Sequence, residues 1–430
     1  MCIIRHDMTS LIDEPEKLVK LVTKNLTPSK SDVRQFGEVF TPLWMVNEML
    51  DQLPKKVWSN PNLKWIDPAT GMGNFPIVIF QRLMEGLGKA IPSAKKRKKH
   101  ILEKMLFMCE LSRKNIRTVR QIFDNDNEHE LNLYQGDSLK VDFEEEGWPS
   151  TFDIIVGNPP YNKTMTSSGS SPLYNEFIQR YIDICKYLLF IVPSRWFTGG
   201  KGLNKFRASM LARKDIRLIK HYENASEIFK GVSIQGGVNY FVKDSSWNGL
   251  CNFNGSLVDL GRHDVLIDSK YDKLLKQFAN EPKLSDLYQG RCYGIETNDS
   301  RLTNKSEPGT IRCFVSQKKG FHSFVNGVSP DGHWKVITAR AAGGTRRFAN
   351  TFIGKPKEVH SGSYISFRVN SLNEAKSLLS YMKCQLPNLF LSLRMNSHNL
   401  NKDTVKWIPL PPLDRIWDEN EVRAWRHTLG

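Results

Sequence analysis

Residues Leu63–Leu87 read LKWIDPATGMGNFPIVIFQRLMEGL. A short apolar run stops at Asp67-Pro68, where a proline without a backbone donor cannot extend a ladder. Gly71 and Gly73 then supply a tight turn, and the apolar residues that follow suit a helix. The same plan recurs downstream. MLFMCELSRKNIRTVRQIF holds an apolar strand ending in Glu110 and then a helix, and LNLYQGDSLKV ends a third strand at Gly136-Asp137. FDIIVGNPPY is a fourth strand, YLLFIVPSRWF a fifth ending at Pro193, and GVNYFVKD a later strand placed near an edge. Strands that alternate with helices, several of them continuously apolar, predict an α/β fold with a mostly parallel sheet buried on both faces. Ligands of such sheets bind outside the carboxyl ends of the strands. Asp67, Gly71, Glu110, Asp137 and Asn158 all fall at those ends.

Upstream, residues 1–36 suit a short helical lead-in, and GEVFTPLWMVNEMLDQLP offers a second helix start. Thr41 is its expected N-cap and Pro42 its first helical residue, with Met45, Val46, Met49, Leu50 and Leu53 at helical spacing. After about residue 260 the alternation lapses and Gly, Ser, Asn and basic residues rise. The expected boundary lies near 255–270, giving one domain over 1–260 and another over 261–430.

The chain has 430 residues, 40% apolar and 25% charged, which reads as a soluble globular protein. No apolar stretch approaches the ~20 residues that span a bilayer, and the N-terminus lacks a signal-peptide pattern. A cytoplasmic protein with no membrane partner is expected, as a monomer or weak dimer. Seven cysteines without a C-x-x-C pair argue against a disulfide framework or a zinc site. His322, His360 and His398 stand isolated, so no metal is expected.

The formal net charge is +16, and residues 311–400 hold 13 Lys and Arg against 3 Asp and Glu. Concentrated positive charge points to a polyanion, with nucleic acid first. The loops ARAAGGTRRFAN and LRMNSHNLN carry Arg340, Arg346, Arg347, Arg394 and His398 as candidate contacts. The run AKKRKKH (Ala94–His100) reads as an exposed loop or a phosphate contact.

Glu110 at a strand end can accept from both hydroxyls of a ribose, and Asp137 from an adenine amino group. Three carboxylates, with no lysine expected around the cleft, disfavour a polyphosphate. They suit a cationic adenosine ligand such as S-adenosylmethionine. Asn158-Pro159-Pro160-Tyr161 completes the pattern. An exocyclic amine on an aromatic ring is a poor nucleophile because its lone pair is delocalised. Acceptors on both N–H bonds, the Asn158 side-chain oxygen and the Pro159 carbonyl, favour a pyramidal nitrogen. The prolines restrict the backbone and add no competing donor. Tyr161 offers a stacking face for a base, which must first be flipped out of a duplex. The Ser/Thr/Gly-rich stretch Lys163–Ser171 suits a lid.

Taken together, these motifs resemble the adenine-N6 DNA methyltransferases of the gamma arrangement, typified by the TaqI methylase and related restriction-modification enzymes. GEVFTP resembles the segment packed over the methionine end of the cofactor, which implies contacts from Phe40, Thr41 and Pro42. DPATGMGNF resembles the cofactor loop, implying Asp67, Ala69, Thr70, Gly71, Gly73, Asn74 and Phe75. CELS resembles the ribose-binding segment (Glu110, Leu111) and QGDSL the adenine-binding one (Asp137, Ser138). NPPY matches the catalytic motif, with Asn158 also at the cofactor. ASEIFKGVSIQGGVNYFVK resembles the segment that sets a second aromatic, Phe229, against the flipped base.

The resemblance covers roughly residues 36–245. It implies S-adenosylmethionine as cofactor, duplex DNA as substrate and, as a candidate partner, a cognate restriction endonuclease. It also implies a seven-stranded Rossmann-like sheet with its last strand antiparallel, followed by an α+β target-recognition domain. A fused nuclease is not expected, because only about 36 residues precede the first motif, fewer than the ~50 of a small domain. Two other functions share the clamp or the scaffold: a protein glutamine-amide methyltransferase and a non-catalytic DNA-specificity subunit. RNA is a weaker substrate choice.

Overall fold

The computed structural model describes residues 10–14, 17–18, 40–163, 171–200, 202–316, 323–342, 346–395 and 399–429. The chain divides into two compact units, Met1–Leu266 and Ile267–Gly430. Most of the helical lead-in expected over residues 1–36 lies outside the described residues.

The first unit is built on one sheet. Its strands are β1 (Trp65–Asp67), β2 (Leu106–Glu110), β3 (Asn132–Gln135), β4 (Phe152–Gly157), β5 (Cys185–Pro193), β6 (Ile216–Tyr222), β7 (Val238–Asp244), β8 (Cys251–Phe253) and β9 (Ser256–Val258). They lie in the order β3-β2-β1-β4-β5-β7-β6-β8-β9. The first five are mutually parallel, and β7 runs antiparallel to β5 and β6. Among the described residues the sheet thus has nine strands where seven were expected. The surplus is the hairpin β8–β9, which joins alongside β6. Asn254 and Gly255 at its tip both have positive φ, the turn that matches the twist of two strands joined by two residues. A second correction concerns β7. It is not near an edge but lies between β5 and β6, buried along nearly its whole length.

Period-two alternation divides the strands between two cores. Tyr187, Leu189 and Ile191 of β5 face one core with Ile154 and Val156 of β4. Leu188, Phe190 and Val192 face the other with Ile155. Helix α1 (Leu43–Leu50), α2 (Asn74–Gly86) and α4 (Arg113–Phe123) supply apolar side chains to the first core, and α5 (Tyr174–Tyr181) and α6 (Asn204–Ala212) to the second. Between α2 and α4, Ala94–His100 forms a short helix, α3, instead of the expected loop, with no residue buried. Helix α1 starts one residue later than expected: Pro42 occupies the N-cap and Thr41 lies outside it.

The second unit is α+β. Its strands are β10 (Tyr288–Gly290), β11 (Leu302–Thr303), β12 (Ile311–Phe314), β13 (Ser323–Val325), β14 (Trp334–Ala339), β15 (Phe352–Gly354), β16 (Val359–His360) and β17 (Tyr364–Val369). They form two four-stranded sheets, β10-β17-β14-β15 and β11-β13-β12-β16. Helices α7 (Asp272–Gln277), α8 (Leu372–Lys383), α9 (Gln385–Arg394), α10 (Lys402–Val405) and α11 (Glu419–Thr428) complete it. Leu378, Phe390 and Leu391 from the helices, and Trp417 just before α11, share its main core with Val336 and Phe367 of the first of these sheets. Among the described residues no helix is long and apolar enough to cross a membrane.

Candidate active site

The carboxyl ends of β1, β2 and β4, with the segment that follows β3, open on one cleft of about 630 Å³, within the range of small-molecule sites. The turn after β1 forms one side. Ala69 N donates to Asp67 Oδ1 at 3.0 Å, and Thr70 Oγ1 donates to the Asp67 carbonyl at 3.0 Å. Gly71 and Gly73 adopt left-handed backbones, with φ of 56° and 93°. That geometry releases Gly71 N to donate to Glu110 Oε2 at 2.8 Å, while Ser112 N donates to Glu110 Oε1 at 2.6 Å. One carboxylate therefore pins the glycine turn to the end of β2. Asp137 is shaped locally, accepting from Leu139 N at 3.1 Å. Asn74 Nδ2 donates to the Thr41 carbonyl at 2.8 Å, which ties the segment before α1 to the glycine turn.

Most of the expected cofactor residues meet in this cleft. Phe40, Thr41, Ala69, Thr70, Gly71, Asn74, Phe75, Glu110, Leu111, Asp137, Ser138 and Asn158 line it, together with Pro159 and Pro160. Pro42, Asp67 and Gly73 do not line it. Asp67 lies fully buried beneath the turn, and a Cβ on Gly157 would come within 2.7 Å of its Oδ1. Gly37, Glu38 and Val39 of GEVFTP, and residues 164–170 of the expected lid, lie outside the described residues.

The absence of lysine expected from the sequence does not hold. Lys140 and Lys163 both line the cleft. Each faces a carboxylate, Lys140 to Asp137 at 3.7 Å and Lys163 to Glu176 at 2.6 Å, so neither adds uncompensated charge. Glu176, Phe177, Leu173, Leu139 and Asn162 are further wall residues that the sequence reading missed.

Tyr161 and Phe229, expected to stack on a base, are both buried and meet edge to face, their ring centres 6.4 Å apart. Neither lines the cleft. Burial raises the Tyr161 phenol well above its ordinary value, against a smaller opposing effect of the neighbouring Asn158 side chain. Asn158 itself stands half-buried in the cleft wall.

The chemistry of the wall fits a nucleoside with a positively charged tail. Leu111, 61% exposed, and Phe177 and Pro160 offer apolar contact for a flat ring. Thr41 Oγ1 and Asp67 Oδ2 are buried polar atoms without a partner among the described residues. Asp67 is pushed up to about 8, first by burial, with a further push from Glu110 and against the Ala69 hydrogen bond. Because the folded state holds this proton more tightly, its stabilising contribution is complete below about pH 4 and is lost as pH rises to about 8. Asp67→Asn, which keeps the acceptor for Ala69 N, is therefore expected to gain in melting temperature relative to the parent between pH 5 and 8. Thermal melts at stepped pH without added nucleoside check this. Parallel curves would reject the assignment.

Among the expected DNA contacts, Arg340 is half-exposed near Tyr288, Arg346 is half-exposed and Arg347 is exposed. Arg394 must be withdrawn. Its side chain is fully buried, its Nε donates to the Asp403 carbonyl at 2.8 Å, and its guanidinium lies over Trp407. It has no face left for a phosphate. His398 lies outside the described residues. His360 is buried against Ser366 and Ser361 and pushed down to about 4 by that burial. No group of side chains suited to a metal occurs among the described residues.

Residues 86–229 match the family model of the Eco57I restriction-modification methylase. An uncharacterized adenine-specific methylase of Mycoplasma pneumoniae (strain ATCC 29342 / M129 / Subtype 1) is 26% identical, the alignment covering 57% of this chain and 76% of that protein. Two solved structures share the fold at 13% identity. The DrdV–DNA complex superposes with a TM-score of 0.53, covering 97% of this chain and 59% of DrdV. The type IIL restriction-modification enzyme MmeI, solved in complex with DNA, gives 0.51, covering 93% and 71%. The chain thus spans about three-fifths of the DrdV structure. The family match runs from the end of α2 to Phe229 and takes in Glu110, Asp137 and the Asn158–Tyr161 segment. Over residues 86–229 the first unit is thus similar to the Eco57I restriction-modification methylases.

Proposed function

We propose that the chain transfers a methyl group from S-adenosylmethionine to the N6 amine of an adenine flipped out of duplex DNA, at a specific sequence. The observation that carries this reading is the position of Asn158-Pro159-Pro160: they share a single cleft with Glu110 and Asp137. The name of the mycoplasma relative supports adenine as the base.

S-adenosylmethionine, when bound, supplies an electrophilic methyl carbon on a sulfonium. Glu110 has lone pairs beyond those taken by Gly71 N and Ser112 N to receive ribose hydroxyls, and Asp137 serves an adenine amino group. The carboxylates and Thr41 favour a cationic tail. On the substrate side, Asn158 Oδ1 and the Pro159 carbonyl accept from the two N–H bonds of the target amine and direct its lone pair outward. Tyr161 and Phe229 flank the base. In the edge-to-face arrangement seen here they must part before a base can stack on Tyr161.

The second unit, with the expected boundary near 260, serves as the target-recognition domain, with Arg340, Arg346 and Arg347 toward DNA. The chain's proposed partner beyond DNA is a cognate restriction endonuclease, and its proposed place of action is the cytoplasm, with access to DNA. The test is a side-by-side assay of the purified chain with labelled donor on duplex DNA, RNA and protein. Label on duplex DNA as N6-methyladenine is expected. Label on protein glutamine alone would replace this reading with the amide-methylating one. No label on any of them would leave the specificity-subunit reading.

A further inference from the structure

Within the second unit, a cavity of about 530 Å³ opens beside helix α9. Leu386, Leu389 and Val422 contribute apolar side chains to it, and four arginines flank them: Arg346 and Arg347 from one segment, Arg423 and Arg426 from α11. The two on α11 are three residues apart and so share a helical face. Arg346, Arg347 and Arg423 make no ion pair with any described residue. Arg426 donates through Nε to Gln277 at 2.9 Å. Among the described residues Glu419 is the sole carboxylate in the wall, and one of its oxygens accepts from Gln385 N at 2.8 Å, at the start of α9.

The arginine pair is held by its backbone. Phe348 N donates to Asn388 Oδ1 at 2.9 Å, and the Ala349 carbonyl accepts from Ala339 N at 3.0 Å. Arg346 has a φ of 51°, a conformation that costs a residue with a side chain and needs such anchoring. Like charges held together without counter-ions are unfavourable unless an anion joins them. Guanidinium forks match phosphate oxygens in pairs, and an apolar floor suits the sugar between successive phosphates.

We infer that this trench is a phosphodiester-binding site, in which Arg346, Arg347 and Arg423 grip the DNA backbone and Arg426 assists. The inference rests on the proposed DNA substrate. An acidic peptide has the same charge sign, but the basic excess over residues 311–400 favours a long polyanion.

The test measures binding of the full chain to a duplex containing its methylated site, by fluorescence anisotropy from about 50 to 200 mM salt. In the variant Arg346→Gln/Arg347→Gln/Arg423→Gln, the slope of log affinity against log salt should shrink by about 2 to 3, near 0.9 per lost phosphate contact. Binding of S-adenosylmethionine, followed by calorimetry, should not change. Arg347→Gln alone, at an exposed position, should remove about one unit and serves if the triple variant folds poorly. An unchanged slope in both variants overturns the trench and leaves the methylase reading standing. An equal loss in the exposed-lysine control Lys355→Gln/Lys376→Gln/Lys383→Gln overturns it in favour of diffuse attraction. Competition by poly-glutamate with no binding of duplex would overturn it in favour of an acidic protein. If the parent chain binds no DNA at any salt, the proposed substrate falls as well.

Discussion

Asn158→Ala is expected to lower methyl transfer by at least about 10²- to 10³-fold, the range for removing one preorganised polar partner of a reacting group. The residue directly follows β4 in the wall of the cleft that Glu110 and Asp137 share, and Pro159 and Pro160 follow it. Alanine keeps the backbone and the Pro159 carbonyl but removes the acceptor for one of the two amine N–H bonds. The nitrogen lone pair then stays in the ring. Because Asn158 belongs to neither core of the first unit, the fold should survive. Single-turnover assays at saturating donor separate the chemical step from binding. Duplex affinity should hold within a few-fold, since the charged contacts to DNA are untouched. Asn158→Asp, which retains an acceptor, should keep part of the rate. A rate for Asn158→Ala within threefold of the parent would remove the clamp from the mechanism.

The sequence made one side of this site legible and left the other dark, for a physical reason. Asp67, Glu110, Asp137 and Asn158 each end an apolar run, and in a parallel sheet such ends gather at one edge whatever the strand order. The opposite wall has no such marker. Leu173, Glu176 and Phe177 come from the start of α5 and the residue before it, close to Ser171, whose carbonyl accepts from Lys163 N. Lys163 belongs to that wall through its ion pair with Glu176, whereas Lys140 lies beside Asp137 in the segment after β3. Strand order was equally hidden. Val238–Asp244 is apolar in the manner of an interior strand, but its place between β5 and β6 depends on pairings that local pattern does not encode. The hairpin β8–β9 did carry a signal, Asn254-Gly255, between strands of only three residues each. Arg394 was misplaced for the opposite reason. A basic residue beside a polar stretch reads as exposed, yet here Asp403 and Trp407 enclose it at the end of α9.

Glu110→Gln should raise the dissociation constant for S-adenosylmethionine by about 10²-fold or more, through two losses that reinforce one another. Each carboxylate oxygen now receives one backbone N–H, from Gly71 at 2.8 Å and from Ser112 at 2.6 Å. A glutamine presents one oxygen and one NH₂, so one of those donors must face another donor. Hydrogen bonds to charged groups are worth about 1.5–3 kcal/mol, and leaving a donor unmade costs a similar amount. Gly71 cannot simply turn aside, because its left-handed φ is bracketed by the Ala69 and Thr70 bonds to Asp67. The second loss is that of the charged acceptor for the ribose hydroxyls. Calorimetry with the donor reads both together, and saturating donor should restore much of the transfer rate because the Asn158 clamp is intact. The same substitution has an independent signature. Glu110 helps hold the Asp67 carboxyl above its ordinary value, so removing that charge should move the Asp67 titration, and the pH window over which its stabilising contribution is lost, downward. A normal donor affinity together with an unmoved pH window would show that Glu110 neither pins the glycine turn nor faces the ribose.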